Sequence, residues 1–261
     1  MAKAHDIEYR IVGSEMQYVE ILLDPGETVV AEAGALMYMG EGIEMETRFG
    51  TAGGGLFDKL LSTGKRMLTG ESLFLTTFTF RGRGKGKVAF ASPYPGKILP
   101  VDLRKTGPVL CQKDSYLCSA MGVDVSLAFT KRFGAGLFGG EGFILQKLEG
   151  DGLALVHAGG TVAAVDLAPG ERLRVDTGCL VAFQPSVSYD IRFVGSVKSA
   201  LFGGEGLFFA EMAGPGRVLL QSLPFSRLAG RIYSAAPQRG GRREEGSILR
   251  GIGDLLDGDN G

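Results

Sequence analysis

The chain has 261 residues, of which 44% are apolar and 22% charged, with a formal net charge of −1. These values exclude a wholly disordered polymer and give no global electrostatic pull toward nucleic acid or acidic lipid. Glycine, at 42 residues, is roughly twice its usual 7% and shows no Gly-X-Y period, so the excess points to tight turns rather than collagen or a linker.

Residues 1–18 carry charges where a signal peptide needs roughly 7–15 apolar residues, and no run approaches the ~18 apolar residues of a membrane span. With only three cysteines, Cys111, Cys118 and Cys179, a disulfide framework is not expected, and the predicted setting is cytoplasmic. Ile7-Glu-Tyr-Arg-Ile-Val12 reads as an extra strand, expected to pair with the end of the chain and help close the sheet edges.

Residues 19–100 read as a first β unit with two additions. In one, beginning at Gly55, Leu56, Leu60 and Leu61 lie at helical spacing and predict a short inserted helix. The other, Arg81-Gly-Arg-Gly-Lys-Gly-Lys87, places Arg81, Arg83, Lys85 and Lys87 on alternate positions. An extended hairpin tip would aim all four the same way, toward a phosphate or an acidic lipid headgroup; a solvated loop is the plainer reading.

The next two units, 101–164 and 165–232, are defined by internal repetition. Leu137-Phe-Gly-Gly-Glu-Gly142 recurs letter for letter as Leu201-Phe-Gly-Gly-Glu-Gly206, and Val101-Asp-Leu103 recurs as Val165-Asp-Leu167, both at an offset of 64. The first unit carries looser copies in Val19-Glu-Ile21 and Leu68-Thr-Gly-Glu-Ser72, and its Asp24-Pro-Gly-Glu27 aligns with Ala168-Pro-Gly-Glu171. In unit three, segments 165–167, 173–175, 179–183, 188–193, 207–212 and 217–222 are rich in β-branched and aromatic residues, with Gly, Pro and Asp clusters between them. Even strand spacing predicts an all-β chain of sandwich-like units in a pseudo-threefold arrangement rather than βαβ alternation. Gly70 and Glu71, Gly139, Gly140 and Glu141, and Gly203, Gly204 and Glu205 are equivalent turns in this scheme. Their carboxylates either gather as a ring for a cation or a partner's Lys and Arg, or each accepts bonds from its own glycine-rich turn.

In the tail, 233–261, a polar stretch over 237–246 precedes Ser247, a cap for a helix from Ile248. Ile248, Leu249, Ile252, Leu255 and Leu256 fall on one face, which suits docking to a protein or peripherally to the inner face of a membrane. Arg239-Gly-Gly-Arg-Arg243 is a second basic patch, but neither patch interleaves aromatic residues, so specific nucleic-acid binding is not expected.

Tandem β units with Gly-Gly-Glu-Gly signatures and Ala-Pro-Gly-Glu turns over about residues 5–232 resemble the altered-inheritance-of-mitochondria (mitochondrial biogenesis) family, whose bacterial members form a domain of unknown function. The resemblance implies a TRAP-like fold, similar to the tryptophan RNA-binding attenuation protein and built on double-stranded β-helix sandwiches, with no established enzymatic activity. Its mitochondrial members are tied to inner-membrane organisation.

Catalytic constellations are hard to assemble from these residues. His5 and His157 are the only histidines, and no zinc or Cys-x-x-Cys spacing occurs, so no metal or other cofactor is expected. His157, within Leu155-Val-His-Ala158, reads as a strand histidine at a sheet edge or in the core. Gly134-Ala-Gly136-Leu-Phe-Gly139 matches a dinucleotide fingerprint in letters, but the corresponding segment of the next unit has Lys198 and Ala200, and the flanks are β-type. Two function classes remain: a non-catalytic scaffold or interaction module that self-associates as a homo-oligomer, and a small-ligand-binding or enzymatic β-barrel whose site converges only in three dimensions.

Overall fold

Nineteen strands account for most of the described chain, and eighteen of them repeat one six-strand pattern three times. The computed structural model describes residues 3–49, 74–131, 143–193 and 208–236. The chain divides into a main body, 1–228, which holds all the described strands, and a second part, 229–261. The first set is β2 (Tyr18–Leu23), β3 (Thr28–Glu32), β4 (Leu36–Met39), β5 (Ile43–Phe49), β6 (Phe74–Phe80) and β7 (Gly86–Ala91). The second is β8 (Gly96–Asp102), β9 (Val109–Gln112), β10 (Tyr116–Ala120), β11 (Asp124–Lys131), β12 (Phe143–Glu149) and β13 (Leu153–Gly159). The third is β14 (Val162–Leu167), β15 (Arg172–Asp176), β16 (Leu180–Phe183), β17 (Ser188–Phe193), β18 (Phe208–Ala213) and β19 (Gly216–Gln221).

Within each set the pairing is the same. The sixth strand lies between the first and third, and the fifth between the second and fourth, all antiparallel. Alternation of side chains builds the core: Val19, Ile21 and Leu23 of β2, with Val88 and Phe90 of β7, are fully buried. The third strand carries a register shift against the sixth at equivalent places, Leu36/Tyr38, Tyr116/Cys118 and Leu180/Ala182. A bulge kept in all three copies is a designed bend in the strand. The Pro-Gly-Glu turns also coincide in form: Gly26 and Gly170 take φ of 89° and 78°, and each turn's Glu accepts a backbone N–H, from Asp24 to Glu27 and from Ala168 to Glu171.

The sets are joined by a second kind of pairing. The second strand of one set pairs with the third strand of the next: β3 with β10, and β9 with β16. Two six-stranded sheets result, ordered β5-β6-β3-β10-β13-β8 and β11-β12-β9-β16-β19-β14, flanked by the sheets β1-β2-β7-β4 and β15-β18-β17. At the first junction Tyr116 is buried, its hydroxyl donating to the Val30 carbonyl at 3.1 Å and bonding Ser119 Oγ at 2.9 Å. At the second, Leu180 and Phe183 stand in the places of Tyr116 and Ser119, and the junction is apolar.

Four features differ from the sequence reading. Among the described strands, β1 (Glu8–Val12) pairs only with its neighbour β2, Glu8 opposite Leu22 through Val12 opposite Tyr18, where the end of the chain is the expected partner. A short connection makes that local pairing the easier one to form. Boundaries drawn at 100/101 and 164/165 fall inside β8 and β14, because the Val-Asp-Leu repeat marks the end of a strand rather than its start. A single helical turn, α1 (Leu103–Thr106), follows β8, with the Asp102 carboxylate accepting from the Arg104 N–H. Finally, residues assigned to the third β unit as far as 232 instead include α2 (Phe225–Ala235), which begins where the Pro224 carbonyl accepts from Arg227 and Leu228 N–H. The predicted inserted helix and tail helix lie outside the described residues.

Candidate functional site

Of the residues singled out by sequence, the Gly-Glu turns (Gly70, Glu71; Gly139, Gly140, Glu141; Gly203, Gly204, Glu205) lie outside the described residues, as do Ile248, Leu249, Ile252, Leu255, Leu256 and the glycines of the dinucleotide-like string. The basic segment is described, and it is not an extended tip aiming four cations one way. A bend between β6 and β7 spreads them: Arg81 meets Glu44 at 3.0 Å, Lys85 meets Glu8 at 2.7 Å and Asp24 at 3.3 Å, and Lys87 meets Glu20 at 3.2 Å. Arg83 is exposed. The carboxylates of neighbouring strands absorb much of the positive charge a phosphate would have needed.

His157 is buried on β13, an interior strand between β10 and β8, edge-on to the Tyr94 ring with centroids 4.5 Å apart. Neither ring nitrogen meets a hydrogen-bond partner of good geometry among the described residues. Burial lowers its pKa to about 4, so the ring is neutral at ordinary pH. Cys111 and Cys118 are buried thiols, and burial pushes Cys111 up to about 12 and raises Cys118 as well, which removes the thiolate that nucleophilic chemistry requires. A surface cleft of about 120 Å³ is lined by Lys3, His5, Asp6, Arg104 and Asp151, small beside the ~300–1,000 Å³ of ordinary ligand sites. Among the described residues no helix is long and apolar enough to cross a membrane.

A surface that the sequence reading missed is the outer edge of β4. Leu36, Met37, Tyr38 and Met39 are all exposed, Met37 at 53%, while their counterparts Tyr116, Leu117, Cys118 and Ser119 on β10, and Leu180, Val181, Ala182 and Phe183 on β16, are buried. The apolar character of the strand is kept although the neighbour that buries it elsewhere is not there among the described strands. Aligning Leu36-Met-Tyr-Met39 with those two segments would have marked it in the sequence as a third core strand, not as an open edge.

The inner side of β4 is held firmly. A row of residues runs across four strands, Arg10, Glu20, Ala89 and Tyr38. Ala89 leaves room for the Tyr38 hydroxyl to donate to Glu20, whose carboxylate also meets Arg10 at 3.1 Å and Lys87 at 3.2 Å. The Tyr38 hydrogen bond, aided by the two cations, holds Glu20 below the usual carboxylate range, and Glu20 in turn pushes Tyr38 up to about 12. Tyr38 of the edge is thus tied to β2. At the opposite end of the three sets, β15 has β18 on one side and no described strand on the other, with Arg172 and Arg174 exposed.

Comparison with known proteins gives this architecture a family. The chain is 28% identical over 229 residues to an uncharacterized protein of Streptococcus pyogenes serotype M6, covering 87% of this chain and 90% of that one. Its fold is similar to the X-ray crystal structure of another Streptococcus pyogenes protein, with a TM-score of 0.69 and 24% identity, covering 88% of this chain and all of that one. The family described as Mitochondrial biogenesis AIM24 matches residues 9–223, and the chain belongs to it.

Proposed function

We propose that this protein is a non-catalytic scaffold, an interaction module that works by adding strands to its open sheet edges. The observation that carries the reading is β4, whose four exposed apolar residues sit at positions buried in the other two sets. An exposed edge strand is a template for another chain, and natural sheets usually blunt such edges with charge or cover them. Here the edge is neither charged nor covered by a described strand, and the Tyr38–Glu20 contact ties its Tyr38 to β2. Main-chain bonds along an added strand give affinity, and the alternating side chains give selectivity.

The rival reading, a small-ligand-binding or enzymatic barrel, is served less well by Cys111 and Cys118, which are buried, protonated thiols. Native mass spectrometry of the protein purified from its own cell separates the two. Protein-containing assemblies without a bound small molecule are expected, and a stoichiometric metabolite or metal ion on the isolated chain would overturn the scaffold reading. Peripheral membrane contact through the tail belongs to the same proposal: truncation at Pro237 is expected to reduce co-sedimentation with membranes and to leave the melting temperature of the β body unchanged.

A further inference from the structure

We infer that the partner of the β4 edge is the β15 edge of a second copy of this chain, joined head to tail by the pairing that already joins the three sets within one chain. This inference rests on the interaction-module reading and names its partner. The two internal junctions share one register. Ala31 faces Cys118 and Val30 faces Ser119 in the first; Cys111 faces Ala182 and Leu110 faces Phe183 in the second. From the first junction to the second, Ala31 becomes Cys111 on the second-strand side, an offset of 80, and Cys118 becomes Ala182 on the third-strand side, an offset of 64. The bulges carry the same equivalence, since Leu36/Tyr38 precedes Tyr116/Cys118 by 80, and Leu180/Ala182 follows it by 64.

The same offsets specify the third junction. Cys111 advances by 64 to Val175, and Cys118 steps back by 80 to Tyr38, so Val175 of one copy faces Tyr38 of the next. Continuing antiparallel, Arg174 faces Met39, Leu173 faces Gly40 and Arg172 faces Glu41. The last pair, with Glu41 in the turn just past β4, brings together exposed side chains of opposite charge, which favours the pairing. The two edges are complementary and lie at opposite ends of the series, so one copy uses a different edge from its neighbour. Such a contact is heterologous, and it closes into a ring or grows as an open chain according to the rotation per copy. Strands of the first and fourth positions also form open edges, whereas β4 and β15 are the only second- or third-position strands without a neighbour on one side among the described strands. That asymmetry marks them as the two halves of an unmade junction.

The test uses the full chain and two variants that each disable one edge. Met37→Lys with Met39→Lys puts charge on the β4 edge, and Arg172→Glu with Arg174→Glu reverses the charge of β15; all four positions are exposed, so folding is expected to be kept and is checked by circular dichroism. At about 100 µM, where weak contacts populate, sedimentation velocity is expected to show the unaltered chain above its 27.6 kDa monomer mass. Each variant alone is expected to sediment as a monomer, and an equimolar mixture as a dimer of roughly 55 kDa and nothing larger, because only one competent junction remains. Glu41→Arg alone is expected to weaken association about five- to tenfold, and Glu41→Arg with Arg172→Glu to restore it, which reads the register directly. An unaltered chain that stays monomeric at that concentration, oligomers indifferent to both variants, or a mixture that forms no dimer overturns self-pairing. The interaction-module reading falls instead on the bound small molecule in native mass spectrometry, so the two failures are distinguishable.

Discussion

Strands β4 and β10 hold the same place in adjacent sets, carry the same bulge and are similarly apolar, yet β10 is buried throughout and β4 is exposed throughout. The difference lies in what stands beside them. β10 has β3 on its outer side, and β4 has no described strand there. Sequence and local geometry therefore fix the strand, while its contribution to stability is decided by the neighbour. For β10 that contribution is part of the fold; for β4 it is available to a partner.

The comparison is sharpest at Tyr116, buried to 1% exposure at the first junction. Tyr116→Ala is expected to lower unfolding free energy by about 3–5 kcal/mol in urea titrations, through lost burial and the cavity left behind. Tyr116→Phe keeps the ring and removes the hydroxyl from the Val30 carbonyl and Ser119, at an expected cost of about 1 kcal/mol. A loss below ~1 kcal/mol for the alanine variant would mean that the junction is not built as described.

A second contrast is one of pH. His157 stands on β13, and the equivalent residue of the third set is Gln221, so only the second set carries a buried imidazole. Its folded pKa is lowered to about 4 from an ordinary 6.5, so the unfolded chain binds more protons between those values. Stability from this residue is complete above pH ~6.5 and is lost as pH falls through about 4, an effect of about 2–4 kcal/mol. Urea midpoints measured from pH 7 to pH 4 are expected to fall, and to fall less for His157→Gln. An identical slope in the two proteins would remove His157 as the cause.

Smaller and symmetric effects belong to the turns. Glu27 and Glu171 each accept their own turn's N–H, at 2.9 and 2.8 Å, so Glu27→Ala and Glu171→Ala are expected to cost similar amounts, about 0.5–1 kcal/mol each. Unequal losses would show that the matching letters conceal different turns.

The repeat is legible in the sequence because it is covalent. The constant offset of Val-Asp-Leu and the Pro-Gly-Glu alignment carry over to strand positions and turn geometry, and the six segments read in the third set lie within a few residues of β14 to β19. What is not legible depends on pairing between distant strands. No local pattern says that β1 chooses β2, or that Arg81, Lys85 and Lys87 find Glu44, Glu8, Asp24 and Glu20 on other segments. Helix α2 escapes for a different reason: Phe225, Leu228, Ala229 and Ile232 have helical spacing after Pro224, but the expectation of a β unit reaching 232 covers them. The β4 edge is invisible because its residues look like core, and core is what they are in the other two sets.

The smallest expected effect tests that last point. Leu117 and Met37 are equivalent, 1% and 53% exposed. Leu117→Ala is expected to cost about 2–5 kcal/mol at any protein concentration, since its burial is complete within one chain. Met37→Ala in the dilute, monomeric protein is expected to change stability by no more than about 0.5 kcal/mol, because its side chain already meets water. If copies pair through β4, linkage makes the Met37→Ala deficit grow with protein concentration, while the Leu117→Ala deficit stays constant. Thermal melts across a hundredfold dilution series, about 1 to 100 µM, read both slopes in one experiment. A Met37→Ala deficit that is already large at the dilute end would show that β4 is covered within its own chain, and the distinction between the two strands would collapse.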